Sequence, residues 1–435
     1  MAKPAAVLGV HLIEEESGAI RAGTLTRDGD GAVSFVVAEP FLRNLARPIL
    51  SLGWYDPQED EGTRHRLARR GDKIGLHGIL PPWFSGLLPE GALRDLVMTE
   101  MGPGNHDEFD VLTRLGADLP GAVLVTPETG VPATAGPLNL ENVQGFQAPV
   151  PDGAVKFSLA GVQLKFTGNP DGERLTAPAR GHSGRCIIKV GSDRYPGLPE
   201  AEYAAMQMAA MIGVKTARCR LVSRDSLEGI PPELLVHGET VLVVDRFDRT
   251  QSGGRIHIED AGQIIGAVGD RKYTMATTET IINMVHRFST DHRGDILEAV
   301  RRVVADVLLG NGDNHLKNWS FIFPRPGQVR LSPAYDIVPT VLYAASDTMA
   351  LRFVQTHHFE DVNLHRFDRV ASYLRLDPRL IRREVDATVK RALQSWPSTA
   401  PGLLGDERAG RLLERLDTLS LVQEVKGGKA AGAHI

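Results

Sequence analysis

Cysteine is scarce in this sequence: Cys186 and Cys219 are the two among 435 residues. That is too few for a disulfide framework or a structural zinc site, and it fits a reducing compartment. An excess of charge of one sign is also missing. Lys and Arg number 49 against 54 Asp and Glu, a net charge of −5. No global basic field therefore points to nucleic acid or anionic lipid, although a local basic face stays open. No run approaches the roughly 18 apolar residues that span a bilayer, so no membrane partner is expected. The opening MAKPAAVLGVHLIEEE has a short apolar stretch closed by three acids. It is too brief for a secretory h-region and has no small-residue cleavage pattern, so a cytoplasmic location is expected. Internal repeats and low-complexity blocks are absent as well. What is present, 42% hydrophobic and 24% charged residues, describes an ordinary globular chain. Its length allows two or three domains at about 150 residues each.

Residues 5–12 and 33–38 read as strands, with a turn at Asp28–Gly31 before the second. Pro81–Thr99 places Pro and Gly breakers ahead of a helical run, and Gly121–Thr126 is a further apolar strand. Gly130–Gly153, rich in Pro, Gly and Asn, reads as a linker. Strand-like segments follow at Val155–Phe157, Gln163–Phe166 and Cys186–Val190. Glu200–Ile212 is a helix stopped at Gly213, and Ala217–Val222 and Thr240–Asp245 are two more strands. From about residue 276 the pattern turns helical. In Ile296–Leu308 the apolar residues recur at helix-face spacing, with Glu298, Arg302 and Asp306 on the opposite side. Trp319–Phe323 and Val329–Leu331 read as a hairpin joined by Pro324–Gly327. Further helices are expected over roughly 362–396 and 407–424, and the tail as disordered. The resulting division is an N-terminal domain over 1–129, a linker over 130–153, a small lobe over 154–250, a helical lobe over 251–425 and a tail over 426–435.

Four constellations carry chemistry. In LLGNGDNHLKNWSF (Leu308–Phe321), Asp313 and Asn318 are spaced as D-x-x-x-x-N, and Asp336 follows the expected hairpin. Phosphoryl transfer needs a carboxylate beside the attacking hydroxyl and oxygen ligands for Mg²⁺, and protein kinases meet that need with this order of parts. The flanks depart from the kinase pattern: Asn311-Gly312 replaces His-Arg, and Tyr335-Asp336-Ile337 replaces Asp-Phe-Gly. Taken alone, the loop also reads as a turn built from ordinary turn formers. In VKFSLAGVQLKF (Val155–Phe166), small residues at Ala160 and Gly161 would let backbone N–H groups approach a phosphate; the plain alternative is a hairpin turn. Lys189 in CIIKV resembles a phosphate-binding strand lysine, oriented by Glu202 or its rival Glu200, or else it is an edge-strand guard. Asp245-Arg246-Phe247-Asp248 ends an apolar strand where an adenine could dock, or is simply a charged turn.

Together these pieces resemble the HipA-type serine/threonine kinases, the toxins of bacterial toxin–antitoxin pairs. The resemblance is carried by Ser158-x-Ala160-Gly161-x-Gln163-x-Lys165, Ile188-Lys189, Asp245-Arg246-Phe247-Asp248-Arg249, Gly312-Asp313-x-His315-x-Lys317-Asn318 and Leu331-x-Pro333-x-Tyr335-Asp336. Leu87-Leu88-Pro89-Glu90, Asp110-Val-Leu and Gly121-Ala-Val extend it into the N-terminal half. It implies an α+β fold with a β-rich N-terminal domain, a small mixed lobe and an all-helical C-terminal lobe, the nucleotide lying between the last two. It implies Asp313 as the base that takes the substrate hydroxyl's proton. Asn318 and Asp336 would hold Mg²⁺, and Lys189 would hold ATP phosphates. Ala160, Gly161, Val162, Gln163, Leu164 and Lys165 would wrap those phosphates, Asp245 and Phe247 would contact adenine, and His315, Lys317 and Tyr335 would complete the nucleotide site. Ser158 matches the family's autophosphorylation position, where nearly two added negative charges would expel the loop from an anionic pocket.

The implied partners are a small helix-turn-helix antitoxin (HipB-like), operator DNA through that complex, and an aminoacyl-tRNA synthetase as substrate. For direct DNA contact the candidate is the basic stretch Arg366–Arg391, although interspersed acids read better as a solvated helix face. Two other classes stay open: a catalytically silent kinase-fold module that binds antitoxin and DNA, and a metal-dependent phosphoester hydrolase built on Asp313, His315 and Asp336.

Overall fold

Val33, Phe35 and Val37 point inward while Ser34 and Val36 face outward, the two-residue period of a half-buried strand. The computed structural model describes residues 5–15, 18–129, 164–171, 174–176, 184–230, 237–344 and 348–427. The expected linker 130–153 and the strand at Val155–Phe157 lie outside them.

The first sheet is antiparallel, β1 (Ala6–Glu14), β2 (Gly18–Arg27), β3 (Val33–Val37), β4 (Ile74–Gly75) and β5 (Val123–Thr129), in the order β4-β3-β2-β1-β5. The turn at Asp28–Gly31 is present, its Asp28 carboxylate accepting from the N–H groups of Asp30 and Ala32. The sequence reading missed β2, because GAIRAGTLTR carries few large apolar side chains. The breakers in Pro81–Thr99 divide it into helices Pro82–Ser85 and Gly91–Glu100.

The second sheet contains β6 (Lys165–Asp171), β7 (Arg174–Thr176), β8 (Cys186–Lys189), β9 (Cys219–Ser223), β10 (Leu227–Glu228) and β11 (Thr240–Asp245), in the order β10-β7-β6-β8-β11-β9. Val241 and Val243 of β11 join the core on one face, and Leu242 and Val244 join the core of the helical lobe on the other. Burial on both faces explains why this strand is an unbroken apolar run. Helix Leu198–Met211 packs against β11, and Glu202 lies on its buried side.

The C-terminal lobe is helical apart from a three-stranded antiparallel sheet of β12 (His257–Asp260), β13 (Ser320–Phe323) and β14 (Arg330–Leu331). The expected hairpin supplies two of these strands, and β12 was not foreseen. Helix His292–Leu309 runs through the middle of this lobe. Its far side is not solvated: Glu298, Arg302 and Asp306 are all buried, which corrects the two-faced reading of this helix. Each has a polar partner that makes burial tolerable; Arg302 donates to Glu298, and Asp306 accepts from Asn311 and Asn314. The helix stops at Gly310, whose φ of +67° favours glycine and where a Cβ would lie 2.4 Å from Val341.

The helix expected over 362–396 is two, Leu364–Tyr373 and Pro378–Leu404. Pro378 cannot donate to a preceding turn, and Asp377 caps the new helix by accepting from the Arg379 N–H. The stretch expected over 407–424 likewise divides into Asp406–Leu416 and Ser420–Gly427. Residues 426 and 427 of the expected tail are helical, and the rest lies outside the described residues. No helix is long and apolar enough to cross a membrane among the described residues.

Candidate active site

Strand pairing places Lys165 of β6 directly opposite Lys189 of β8. Two ammonium groups side by side repel, so this pair needs negative charge close by. Lys189 obtains it from two directions, donating to Glu202 Oε1 at 2.5 Å and to Asp336 Oδ1 at 2.5 Å. Glu202 is fully buried on helix Leu198–Met211, and its rival Glu200 turns instead to the hydroxyl of Thr240. Burial alone would push the Lys189 amine down, but Asp336 and Glu202 outweigh it and hold it above its ordinary value. Burial pushes Glu202 up to about 7, against the attraction of Lys189. Asp336 goes the other way: Lys189 and Lys165 overcome its desolvation and keep its carboxyl well below the usual range.

Asp336 stands at φ +60°, in the left-handed region where an Asp is tolerated and a branched residue is not. That turn aims its carboxylate back at β8 after the β13–β14 hairpin. Tyr335 before it faces inward, its hydroxyl 2.6 Å from Ser320 Oγ and donating to the Lys317 carbonyl at 2.8 Å. Its ring lies 5.6 Å from that of Phe247.

The loop after Gly310 is braced from below. Asn311 and Asn314 both donate to the buried Asp306, and the Gly312 N–H donates to Thr340 at 2.8 Å. This hydrogen bonding fixes the turn that carries Asp313, which is buried. Its carbonyl accepts from Asn318 Nδ2 at 3.0 Å, and its carboxylate accepts from the Tyr273 hydroxyl at 3.0 Å. His315 packs edge-on to Tyr273, with ring centroids 5.1 Å apart. Burial first, and then the charge of Lys272, pushes its imidazole down to about 3, so it is neutral at pH 7. The same ring feels the opposing field of Asp336, which links the Asp313 loop to the Lys189 cluster. Lys317 donates to the Gly86 carbonyl at 3.0 Å and pairs with Glu90 at 3.3 Å.

The structure thus brings together Lys165, Lys189, Glu202 and Asp336, and holds Asp313, His315 and Asn318 on one loop whose His315 ring feels the field of Asp336. Asp245 is set apart at the end of β11, paired with Arg220 at 3.0 Å. Ser158, Ala160, Gly161, Val162 and Gln163 lie outside the described residues; Leu164 is buried and Lys165 is exposed. Sequence reasoning missed Asp306, Tyr273, Lys272 and the placement of Glu90. Asp306 and Tyr273 sat inside apparently ordinary helical and loop sequence, where no spacing marked them.

The donor set suits a hard divalent cation. Asp336 offers a carboxylate, and the Nδ2 of Asn318 is spent on the Asp313 carbonyl, which turns its amide oxygen the other way. Carboxylate and amide oxygens with room for phosphate oxygens are what Mg²⁺ takes. Among the described residues, no group of three or more His, Cys, Asp or Glu side chains is placed to hold a metal.

The family model described as the HipA-like C-terminal domain matches residues 157–396, more than half of the chain, and the HipA N-terminal domain model matches residues 17–126. The chain belongs to the HipA family. Two relatives from Sinorhizobium fredii (strain NBRC 101917 / NGR234) span most of it. The one named "Putative kinase Y4dM" is 36% identical over 400 residues, covering 91% of this chain and 93% of the relative. The one named "Putative kinase Y4mE" is 28% identical over 390 residues, covering 83% and 86%. Among solved structures, a chain of the Shewanella oneidensis MR-1 toxin–antitoxin system HipA, HipB and operator DNA complex shares the α+β fold. Its TM-score is 0.72 at 20% identity, covering 96% of this chain and 99% of that one.

Proposed function

We propose that this HipA-family chain is an ATP- and Mg²⁺-dependent protein serine/threonine kinase. The reading is carried by one observation, Lys189 clasped at 2.5 Å by both Glu202 and Asp336. In this reading Lys189 binds phosphate oxygens, and Glu202 orients it. Asp313 accepts the proton of the attacking hydroxyl, a task that needs a carboxylate within hydrogen-bond reach. Asn318 and Asp336 would hold Mg²⁺, which when bound would supply positive charge to the phosphates. Lys165 and the segment Ala160–Leu164 are the proposed phosphate-binding residues, as the family resemblance implies. The Phe247 ring, against Tyr335, packs on the adenine, with Asp245 at the strand end beside it. His315, neutral and buried, backs the site without adding charge, and Lys317 and Tyr335 fix the loop around it.

Ser158 is the proposed autophosphorylation position. The proposed partners are a helix-turn-helix antitoxin of the HipB type and operator DNA reached through it. An aminoacyl-tRNA synthetase is the proposed class of protein substrate. The basic stretch near Arg382 is a poor candidate for direct DNA contact, because Arg382 pairs with Asp368, Lys390 with Asp386 and Arg391 with Glu384.

The test is intact mass after incubation with ATP and Mg²⁺. The wild type should gain phosphate, and Asp313→Ala should slow the gain by about 10²–10⁴-fold. No gain in either chain would favour a silent binding module. Release of phosphate from added phosphoesters would favour a hydrolase.

A further inference from the structure

Glu90 belongs to the N-terminal domain, yet its carboxylate reaches two lysines beside the candidate catalytic loop. It pairs with Lys272 at 2.5 Å and with Lys317 at 3.3 Å. Burial works against its charge, but Lys317 and Lys272 prevail and hold it at about 2. Lys272 is itself buried, 5% exposed, and its ammonium stands 5.3 Å from the centroid of the Tyr273 ring, within cation–π range. The Tyr273 hydroxyl then donates to Asp313 Oδ1 at 3.0 Å, and its ring is held edge-on by His315. Every link from Glu90 to Asp313 is thus a direct contact.

A carboxylate has two oxygens, and a base needs one of them aimed at the substrate hydroxyl. A donor fixed on Oδ1 sets the plane of the carboxylate and with it the direction of the other oxygen. Tyr273 is fixed in this sense. It ends a short 3₁₀ turn, Gly269–Tyr273, whose preceding residue is anchored in another domain. A mobile gate would not be packed against His315 and Lys272 at once.

We propose that Tyr273 is a positioning residue for Asp313, and that Glu90 sets it from the N-terminal domain through Lys272. The proposal rests on the kinase reading above. It makes the N-terminal domain part of the phosphoryl-transfer apparatus, since the same Glu90 also restrains Lys317 next to Asn318.

The test measures phosphate transfer from ATP, to the chain itself and to dephosphorylated casein, against ATP concentration for the full-length protein. Tyr273→Phe keeps the ring and removes the hydroxyl. It should lower the maximal rate by about 10–100-fold while the half-saturating ATP concentration stays within about twofold, the mark of lost orientation with binding intact. Glu90→Gln should lower the rate and also raise the half-saturating ATP concentration, because Lys317 is released as well. Glu90→Asp should recover part of both. Circular dichroism and melting curves check that each variant folds. A Tyr273→Phe chain as fast as the wild type, or faster, overturns the proposal and leaves the kinase reading standing. An unchanged Glu90→Gln chain overturns the link to the N-terminal domain. A wild type that transfers no phosphate removes the kinase reading and this proposal together.

Discussion

The charges around Lys189 illustrate how single residues are tuned. Glu202 sits in the driest place and is pushed up to about 7, while Asp336, with a side chain 30% exposed, keeps its charge. Asp336→Asn retains a residue type that accepts the left-handed backbone, so the variant should fold and still lose Mg²⁺-dependent ATP binding. A thermal-shift titration with ATP, with and without Mg²⁺, checks this. Glu90 makes a prediction about pH. Its folded value of about 2 lies below the ordinary 4.5, so its charge stabilises the fold above pH 4.5, and that stability is lost as pH falls toward 2. Denaturant unfolding between pH 5 and 2 should therefore be less pH-dependent in Glu90→Gln than in the wild type. At this scale spacing singled out Asp313, Asn318 and Lys189 as candidates, and the structure gives Lys189 the partner Glu202 that the sequence had offered beside Glu200. Tyr273 was not, since nothing in GDRKY announces which carboxylate its hydroxyl will meet.

Among the elements, helix His292–Leu309 and the loop after it act as one piece. Asp306, buried within the helix, accepts from both Asn311 and Asn314 and so ties the loop to the rod that precedes it. Asp306→Ala would leave two amide groups unsatisfied and should cost about 1–3 kcal/mol. Chemical denaturation measures that cost, and phosphate transfer should fall further than the stability loss explains. The helix periodicity was readable, but its polar side was taken for the solvent side. Periodicity locates an apolar stripe and says nothing of what covers the remaining face; here the Lys215 N–H meets Glu298, the Ser332 carbonyl meets Arg302, and the loop after Gly310 meets Asp306. Likewise β11 declared itself as an apolar run, whereas β2 and β12 acquire their strand character mainly from their neighbours in the sheet.

At the scale of the whole molecule, the N-terminal domain is locked to the rest by buried polar contacts. Asp248 accepts from Arg246 and Arg249 and from the Gly121 N–H, while Arg246 also reaches Asp118 at 2.8 Å. Glu259, fully buried, accepts from Ser51, the Leu52 N–H and Trp83. Part of the Asp-Arg-Phe-Asp-Arg motif is thus a domain clamp and not a nucleotide contact. Asp248→Ala would remove the carboxylate that two buried guanidinium groups share, leaving them Asp118 and backbone carbonyls, and should destabilise the chain by about 1–3 kcal/mol, read as a lower melting temperature. By itself the sequence marked the residue types that phosphoryl chemistry needs and many of the strands and helices, because spacing and local turn chemistry are written along the chain. Only the tertiary structure decided that Glu202 and not Glu200 meets Lys189, that Tyr273 meets Asp313, and that Glu90 crosses a domain boundary to reach the loop. Those choices depend on which faces are buried together, and burial is a property of the packed molecule.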